Sequence, residues 1–368
     1  MKQPYLLLTP GPLSTTATVK AAMQIDYCTW DQDYRNITES VRSQLLAVAQ
    51  ASPERYTSIL IQGSGSYGVE ATIGTAIPPE GALLMIAING AYGQRISDIA
   101  AYYQIPHIDI CFDEDQAVDP ARIAQALDAH PEVTHFAMIH SETTTGILNP
   151  IDQIMPLLKA RHIISIIDAM SSLGGVPLSV DQLGCDYLIS SANKCIQGVP
   201  GFAFVIANRQ QLAQTAGNAR SLCLDLYDQW QTMTKFPGKW RFTSPTHVVH
   251  AFSQALKELA LEGGVTKRYQ RYRENQEVLS TGMQQLGFTL VIQPAVQGPI
   301  ITSFKYPTPT FDFPHFYQFL KAHGFVIYPG KVTTTPSFRI GSIGDVTPSD
   351  IKQLLTVIAT YQHQASSH

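Results

Sequence analysis

Two residues in the middle of the chain combine reactive side chains with positions at the ends of apolar segments. Lys194 follows the apolar run 187–189 through a short stretch of small polar residues, and Asp168 directly ends the apolar run 163–167. A lysine withdrawn from water has a lowered pKa, and its free amine can then attack an aldehyde. A carboxylate at a strand end can keep a pyridine nitrogen protonated. Taken singly, Lys194 could be a solvated loop residue and Asp168 an ordinary helix cap.

A third candidate is the glycine- and serine-rich segment 63–68, which reads GSGSYG and stands between a strand-like run and a helical stretch. Backbone N–H groups at such a helix N-terminus bind phosphate, and Ser64 and Ser66 add hydroxyl donors. The string also matches a dinucleotide-binding pattern. That pattern requires an acidic residue about 20 positions later, at the end of the next strand, where this chain has Asn89 and Gly90. A purely structural turn is the other alternative.

These candidates require a parallel sheet to bring them together. Short apolar runs that suit strands covered on both faces recur at 58–61, 83–88, 136–139, 163–167, 187–189 and 202–206. Such runs predict an α/β fold with a mostly parallel, doubly wound sheet and crossover helices. Because the phosphate turn, Asp168 and Lys194 each follow one of these strands, we expect them to lie at one edge of the sheet.

The rest of the chain predicts a second, smaller α/β unit. A long helical pattern covers 245–287 with an interruption at Gly263 and Gly264, and strand-like runs follow at 300–304, 326–327 and 338–340. We therefore predict a large domain over 15–255 and a small C-terminal domain over 256–368. The N-terminal segment 1–14 is expected to pack near the site.

Composition narrows the classes of partner. The 368 residues are 45% hydrophobic and 15% charged, and the formal net charge is −4, so no basic field indicates nucleic-acid binding. The five cysteines have no metal-binding spacing, which favours reduced thiols, a cytoplasmic protein and no metal. The longest clearly apolar run, 82–88, is far shorter than a membrane span.

Several motifs, taken together, resemble a known family along nearly the whole chain. They are TPGP at 9–12, GSGS at 63–66, NGAYGQR at 89–95, HSETTTG at 140–146, DAMSS at 168–172 and SANK at 191–194. This set resembles the class V branch of the fold-type I pyridoxal-phosphate aminotransferases. The resemblance implies pyridoxal 5'-phosphate as the cofactor, a fold-type I architecture, and a homodimer with its site at the subunit interface.

The resemblance also implies roles for residues around the cofactor ring. Lys194 would carry the cofactor as a Schiff base and act as the catalytic base and acid, and Asp168 would pair with the ring nitrogen. Tyr92 would stack on the ring, Thr143 would lie near the ring hydroxyl, and Asn193 would lie beside the phosphate or the lysine.

Two anion sites follow from the same resemblance. Ser64, Gly65 and Ser66 would hold the cofactor phosphate, and Thr243 would reach it from the second subunit. Arg339 would receive the anionic group of the substrate. The residues alone agree with this role for Arg339, because a guanidinium in an apolar strand suits bidentate binding of a carboxylate or a phosphonate.

Longer strings refine the expected substrates. The stretches 28–31, 190–201, 239–247 and 324–331 resemble the family members that transaminate 2-aminoethylphosphonate with pyruvate to give phosphonoacetaldehyde and L-alanine. The alternatives are an alanine–glyoxylate or serine–pyruvate aminotransferase, a non-catalytic regulator that binds the same cofactor, and a nicotinamide dehydrogenase. Arg35, Arg95 and Arg241 could bind the phosphonate, but ion pairs or supporting contacts at the cofactor phosphate would explain each equally well, and whether Arg35 or Arg241 contacts substrate stays open. Cys195 and His140, although near the site, are expected to serve packing and structural hydrogen bonding.

Overall fold

The structure of the protein is a computed structural model, which describes residues 5–365. The strands are β1 (Leu6–Leu7), β2 (Tyr56–Gln62), β3 (Leu84–Ile88), β4 (His107–Cys111), β5 (His135–Ile139), β6 (Ser141–Glu142), β7 (Ile147–Leu148), β8 (Ile164–Asp168), β9 (Tyr187–Ser191), β10 (Phe202–Asn208), β11 (Ile301–Lys305), β12 (Phe325–Val326), β13 (Tyr328–Pro329) and β14 (Ser337–Gly341).

The helices alternate with these strands through most of the chain. They are α1 (Ala17–Ala22), α2 (Gln32–Val48), α3 (Gly65–Ala76), α4 (Ala91–Tyr102), α5 (Pro120–Ala129), α6 (Ile151–Lys159), α7 (Val180–Leu183), α8 (Arg209–Ala213), α9 (Leu226–Lys235), α10 (Thr246–Glu262), α11 (Gly264–Gln285), α12 (Phe313–Ala322) and α13 (Pro348–Ala365), with a short 3-10 helix at Pro294–Val296.

A seven-stranded sheet forms the centre of the larger part of the molecule, in the order β2-β10-β9-β8-β5-β3-β4. Strand β10 runs antiparallel to both of its neighbours, and the other pairings are parallel. Every residue of β3, β5 and β9 is buried, as expected for strands with helices on both faces. The predicted α/β fold with a mostly parallel sheet is confirmed.

A three-stranded antiparallel sheet, in the order β11-β14-β13, forms a second layer toward the C-terminus. Its hydrophobic core is separate from that of the large sheet and contains Phe304, Phe316 and Phe338. The long helical pattern before it divides as the sequence predicts: α10 ends at Gly263, whose positive φ of 103° suits a glycine C-cap, and α11 begins at the next residue.

Strands β13 and β14 form a hairpin, with Tyr328 paired with Arg339. The N–H of Gly330 donates to the carbonyl of Ser337 at 2.9 Å, and residues 331–336 form the loop beyond this bond. The N–H and hydroxyl of Thr333, in this loop, donate to one carboxylate oxygen of Glu114 at 2.8 and 2.9 Å. The hairpin loop of the small sheet is therefore tied to the large-sheet part of the chain.

Sequence reasoning missed strand β4, at the edge of the sheet. Its residues alternate between partly buried and exposed, and an aspartate stands at its centre, so it lacks the continuous apolar run used to find the other strands. No helix within residues 5–365 is both long and apolar enough to cross a lipid bilayer.

Candidate active site

The predicted site residues converge on a cavity of about 630 Å³ at the carboxyl ends of β2, β5, β8 and β9. This is where ligands bind in open α/β sheets, because the loops that follow parallel strands diverge there. Eight of the ten predicted site residues line the cavity, namely Ser64, Gly65, Ser66, Tyr92, Thr143, Asp168, Asn193 and Lys194. Arg339 and Thr243 do not line it.

Lys194 is partly buried, and its Nζ donates to the backbone carbonyl of Pro10 at 3.0 Å. Burial lowers the pKa of Lys194, while Tyr92, Cys195 and Asp168 act in the opposite direction. The N-terminal segment comes very close, since a Cβ built on Gly11 would lie 2.8 Å from Nζ. The amine is thus held in place by backbone and shifted toward its neutral, nucleophilic form.

Asp168 is only 6% exposed at the end of β8. Its Oδ1 accepts a hydrogen bond from the N–H of Met170 at 2.8 Å. Burial raises the pKa of Asp168 to about 7; the Met170 N–H lowers it and the nearby Glu142 raises it. A carboxyl group with this pKa gains from a cationic partner, because pairing would repay the cost of burying its charge.

The N-terminus of the twelve-residue helix α3 opens into the same cavity. Ser64 is its N-cap, yet the Ser64 side chain makes no capping hydrogen bond. The guanidinium of Arg95 donates from Nη1 to the hydroxyl of Ser66 at 2.9 Å. Gly65 packs directly against Met170, since a Cβ there would clash with the Met170 sulfur. Uncapped N–H groups, hydroxyls and a guanidinium together suit a phosphate.

Glu142 is a buried carboxylate that positions the start of α4. One of its oxygens accepts from the N–H groups of Tyr92 and Gly93 at 3.3 and 3.2 Å, and the other accepts from the N–H of Thr144 at 3.0 Å. Burial raises the pKa of Glu142 despite these bonds. The carboxylate therefore fixes the backbone from which the Tyr92 side chain enters the cavity.

Arg339 lies beside the cavity, 6% exposed, and is held by two backbone carbonyls. Its Nη1 donates to Thr143 at 2.7 Å and its Nε donates to Pro329 at 3.0 Å. The Nζ of Lys331, in the hairpin loop, lies 4.1 Å from the centroid of the Tyr92 ring. Burial alone would raise the pKa of Tyr92, but the charges of Lys331 and Lys194 outweigh it and lower that pKa.

Thr243 is exposed and lies in a different cavity, of about 420 Å³, whose lining includes Trp30, Arg35 and Arg241. Trp30, on this surface, is 76% exposed. Neither arginine lines the cavity of Lys194. Within one chain, Thr243 is therefore not brought to the α3 N-terminus.

Cys195 and His140 are both buried and hydrogen-bonded to backbone or hydroxyl groups. The thiol of Cys195 donates to the carbonyl of Ser171 at 3.0 Å, and burial raises its pKa to about 12. His140 Nδ1 hydrogen-bonds to the Ser172 hydroxyl at 2.9 Å, and burial lowers the pKa of His140 to about 4. A protonated thiol and a neutral imidazole in these surroundings fit packing and structural roles.

Two contacts at the site were not found from the sequence, Lys331 over Tyr92 and Lys194 with Pro10, and the contact of Arg95 with Ser66 selects one of the roles that the sequence left open for Arg95. The motif NGAYGQR contains Arg95 and the stretch 324–331 ends at Lys331, so both residues stood in strings that carried the resemblance. Their spacing along the chain, however, gives no distance to the cavity.

Comparisons with known proteins agree with this geometry. Residues 30–347 match the profile of the family described as aminotransferase class-V. The chain is 73% identical over 362 residues to the 2-aminoethylphosphonate–pyruvate transaminase of Lactiplantibacillus plantarum, covering 98% of this chain and 99% of the relative. It is 56% identical to the protein of the same name from Bacteroides fragilis, over 97% of this chain and 98% of the relative.

Solved structures share the fold at low sequence identity. The alanine–glyoxylate aminotransferase of Nostoc sp. superposes with a TM-score of 0.89 at 24% identity, covering 97% of this chain and 95% of that one. The pyridoxamine–pyruvate aminotransferase of Mesorhizobium loti gives 0.90 at 22% identity, covering 99% and 93%. The family profile and the full-length relatives establish the identification: the chain belongs to the class V aminotransferase family.

Proposed function

We propose that this enzyme transfers the amino group of 2-aminoethylphosphonate to pyruvate, giving phosphonoacetaldehyde and L-alanine. The observation that carries the proposal is the partly buried, backbone-held Lys194 in a cavity lined by Asp168 and the open α3 N-terminus, with further cationic side chains beside it. This set suits an amine with an anionic tail. The names of the full-length relatives support the choice of substrates.

The cofactor of the enzyme is pyridoxal 5'-phosphate, and the residues present fit it. It supplies an aldehyde that condenses with amines and a protonated ring that withdraws electrons from the bond being broken. We assign Asp168 to the ring nitrogen, because its raised pKa and burial favour a cationic partner. Tyr92 is assigned to stacking on the ring, Thr143 to the ring hydroxyl, and Asn193 to the region between phosphate and lysine.

Lys194 has two tasks in this proposal. Its amine would hold the cofactor covalently. Once free, its Nζ would move the proton of the amino-bearing carbon of the substrate, as general base and acid. The lowered pKa of Lys194 favours the neutral form that the first transfer needs.

The phosphate group is assigned to Ser64, Gly65 and Ser66 at the α3 N-terminus, with Arg95 bound to the Ser66 hydroxyl. Thr243 is assigned to the same phosphate across a homodimer interface. Its exposure, and the neighbouring exposed Trp30, support an interface on this surface. The expected outcome is a dimer in solution, measurable by light scattering, and a weaker affinity for the cofactor after Thr243→Ala.

Arg339 is proposed as the anion site for both half-reactions, receiving first the phosphonate and then the pyruvate carboxylate. Arg339→Ala is expected to slow cofactor conversion by 2-aminoethylphosphonate and by L-alanine, each by about 100-fold, because each loses a charged hydrogen-bonding partner. Single-turnover absorbance measures the two rates separately. An effect confined to one amine would refute the shared site.

The substrate is tested by adding each amine to the purified holoenzyme and following the absorbance of the cofactor. Conversion is expected with 2-aminoethylphosphonate and L-alanine. Conversion with L-alanine or L-serine but not with 2-aminoethylphosphonate would instead favour an alanine–glyoxylate or serine–pyruvate enzyme. No conversion by any of these amines would favour a non-catalytic regulator. Borohydride should trap the cofactor on Lys194, an outcome that excludes a nicotinamide dehydrogenase.

We also propose the division into a large domain, 15–255, and a small domain, 256–368, with segment 1–14 beside the site; residues 1–4 and 366–368 of these ranges lie outside the described residues. The separate hydrophobic cores support it, although helix α10 runs through the boundary. A cytoplasmic location is proposed from the five free cysteines, three of which are exposed.

A further inference from the structure

Four cations in or beside the active-site cavity make no salt bridge. Arg95, Lys194, Lys331 and Arg339 lie in direct contact with no carboxylate in the part of the chain that the structure describes. The buried carboxyl groups of Asp168 and Glu142 act on them only from farther away, so ligands with several negative charges would be stabilised here.

The cofactor accounts for two of the four. Arg95 stands at the phosphate end through Ser66, and Lys194 is the covalent attachment point in the proposed function. Lys331 and Arg339 remain for the substrate. Both lie near the Tyr92 ring: the Nζ of Lys331 is 4.1 Å from its centroid, and both charges act on its phenol.

Arg339 alone is not enough for a phosphonate. Its Nε and one proton of Nη1 are already used by the carbonyls of Pro329 and Thr143, and the guanidinium also hydrogen-bonds to the Tyr92 side chain, which leaves at most one fork of N–H donors. One remaining fork can satisfy the two oxygens of a carboxylate. A phosphonate has a third oxygen and can carry a second charge, and both require a further cation.

We propose that Lys331 is this further cation and that it selects the phosphonate substrate over carboxylate competitors, an inference that rests on the proposed function. The ammonium is a compact charge with three donors, suited to the oxygen that a planar guanidinium leaves unpaired.

The hairpin places Lys331 for this role. The residue follows Gly330, whose N–H is bonded to the Ser337 carbonyl, and two residues later Thr333 is tied to Glu114. The loop is therefore anchored on both sides of Lys331, and the ammonium is held against Tyr92 at the cavity. Lys331 does not line the cavity itself, but it is the largest of the charges that lower the pKa of Tyr92, a residue that does line it.

The test compares holoenzymes of wild type, Lys331→Met and Lys331→Arg in single-turnover conversion of the cofactor. Lys352→Met, an exposed lysine on α13, is the matched control for loss of a positive charge. For Lys331→Met, kcat/KM for 2-aminoethylphosphonate is expected to fall by about 30-fold, within the range for a charged hydrogen bond, and that for L-alanine by about threefold at most. Lys331→Arg should recover most of the loss, and Lys352→Met should behave as wild type.

An equal loss for both amines would overturn the inference, because it would mean a structural or general electrostatic role. No loss for either amine would overturn it as well. If wild type fails to convert 2-aminoethylphosphonate, the proposed function fails. The role of Lys331 is then tested by measuring the affinity of unreactive anions that inhibit the conversion of L-alanine. Ethylphosphonate should lose about 30-fold in affinity in Lys331→Met while propionate changes little; parallel changes in the two would refute selection by Lys331.

Discussion

Replacing Asp168 by asparagine should make the cofactor-free protein more stable and the enzyme nearly inactive. In the folded chain the pKa of Asp168 is about 7, against an ordinary value of 3.8. The raised pKa means that the unfolded chain loses this proton first as the pH rises. The folded state is therefore penalised from about pH 4 upward, and the penalty is complete above about pH 7. Asparagine keeps the acceptor for the Met170 N–H and cannot ionise.

The size of the effect follows from the difference between the two pKa values. Ionisation of Asp168 costs the folded state about 1.7 kcal/mol at pH 5 and about 4 kcal/mol at pH 8. Relative to wild type, Asp168→Asn should thus gain about 2.5 kcal/mol more stability at pH 8 than at pH 5. Burying the asparagine amide changes the free energy of unfolding by the same amount at both pH values. The difference between the two pH values therefore measures only the ionisation of Asp168.

Urea unfolding of the cofactor-free proteins at the two pH values measures this difference. Asp115→Asn, at an exposed position, is the control and should show no such dependence. A stability difference between Asp168→Asn and wild type that is the same at pH 5 and pH 8 would show that the Asp168 carboxylate is not penalised by burial. In the holoenzyme the substitution Asp168→Asn should instead be harmful. Loss of the charged partner of the ring nitrogen is expected to cost about 3 kcal/mol, or at least about 100-fold in kcat.

Two further substitutions test residues that contact Lys194 or the predicted phosphate site. Gly11→Ala should reduce stability by about 1–2 kcal/mol and slow covalent attachment of the cofactor, because φ is +125° and the new Cβ would lie 2.8 Å from Lys194 Nζ. Gly81→Ala, at φ +73° with nothing within 4 Å, shares the backbone strain and should leave attachment at the wild-type rate. Ser66→Ala removes the hydroxyl that Arg95 contacts, so the Kd for the cofactor in an absorbance titration should rise about tenfold; an unchanged Kd would contradict a phosphate site at the α3 N-terminus.

The sequence predicts those parts of the fold that are carried by local patterns. Asp168 and Lys194 could be located near strand ends because each follows a mostly apolar run, and the break between α10 and α11 could be located at Gly263 and Gly264. Strand β4 was missed since it lies at an edge, where exposed polar residues interrupt the pattern. Patterns of apolar residues therefore do not identify a strand that is only partly buried.

Contacts between residues that are far apart along the chain could not be predicted from the sequence either. The Nη1 of Arg95 reaches Ser66 across 29 positions, and the Nζ of Lys194 reaches Pro10 across 184. A single sequence contains the residue types of these pairs but no distance between them. The motifs could therefore name the cofactor and most of the residues that line the cavity, while the fold was needed to find the contacts between them.

The β13–β14 hairpin gives the enzyme a replaceable recognition element. Its loop, residues 331–336, lies beyond the last backbone bond of the hairpin, between Gly330 and Ser337, so changes in its length need not alter the strand register that holds Arg339. None of the residues assigned to the cofactor belongs to it. A lineage, or a protein engineer, could exchange these six positions to change which acid is accepted, while the chemistry at Lys194 stays as it is.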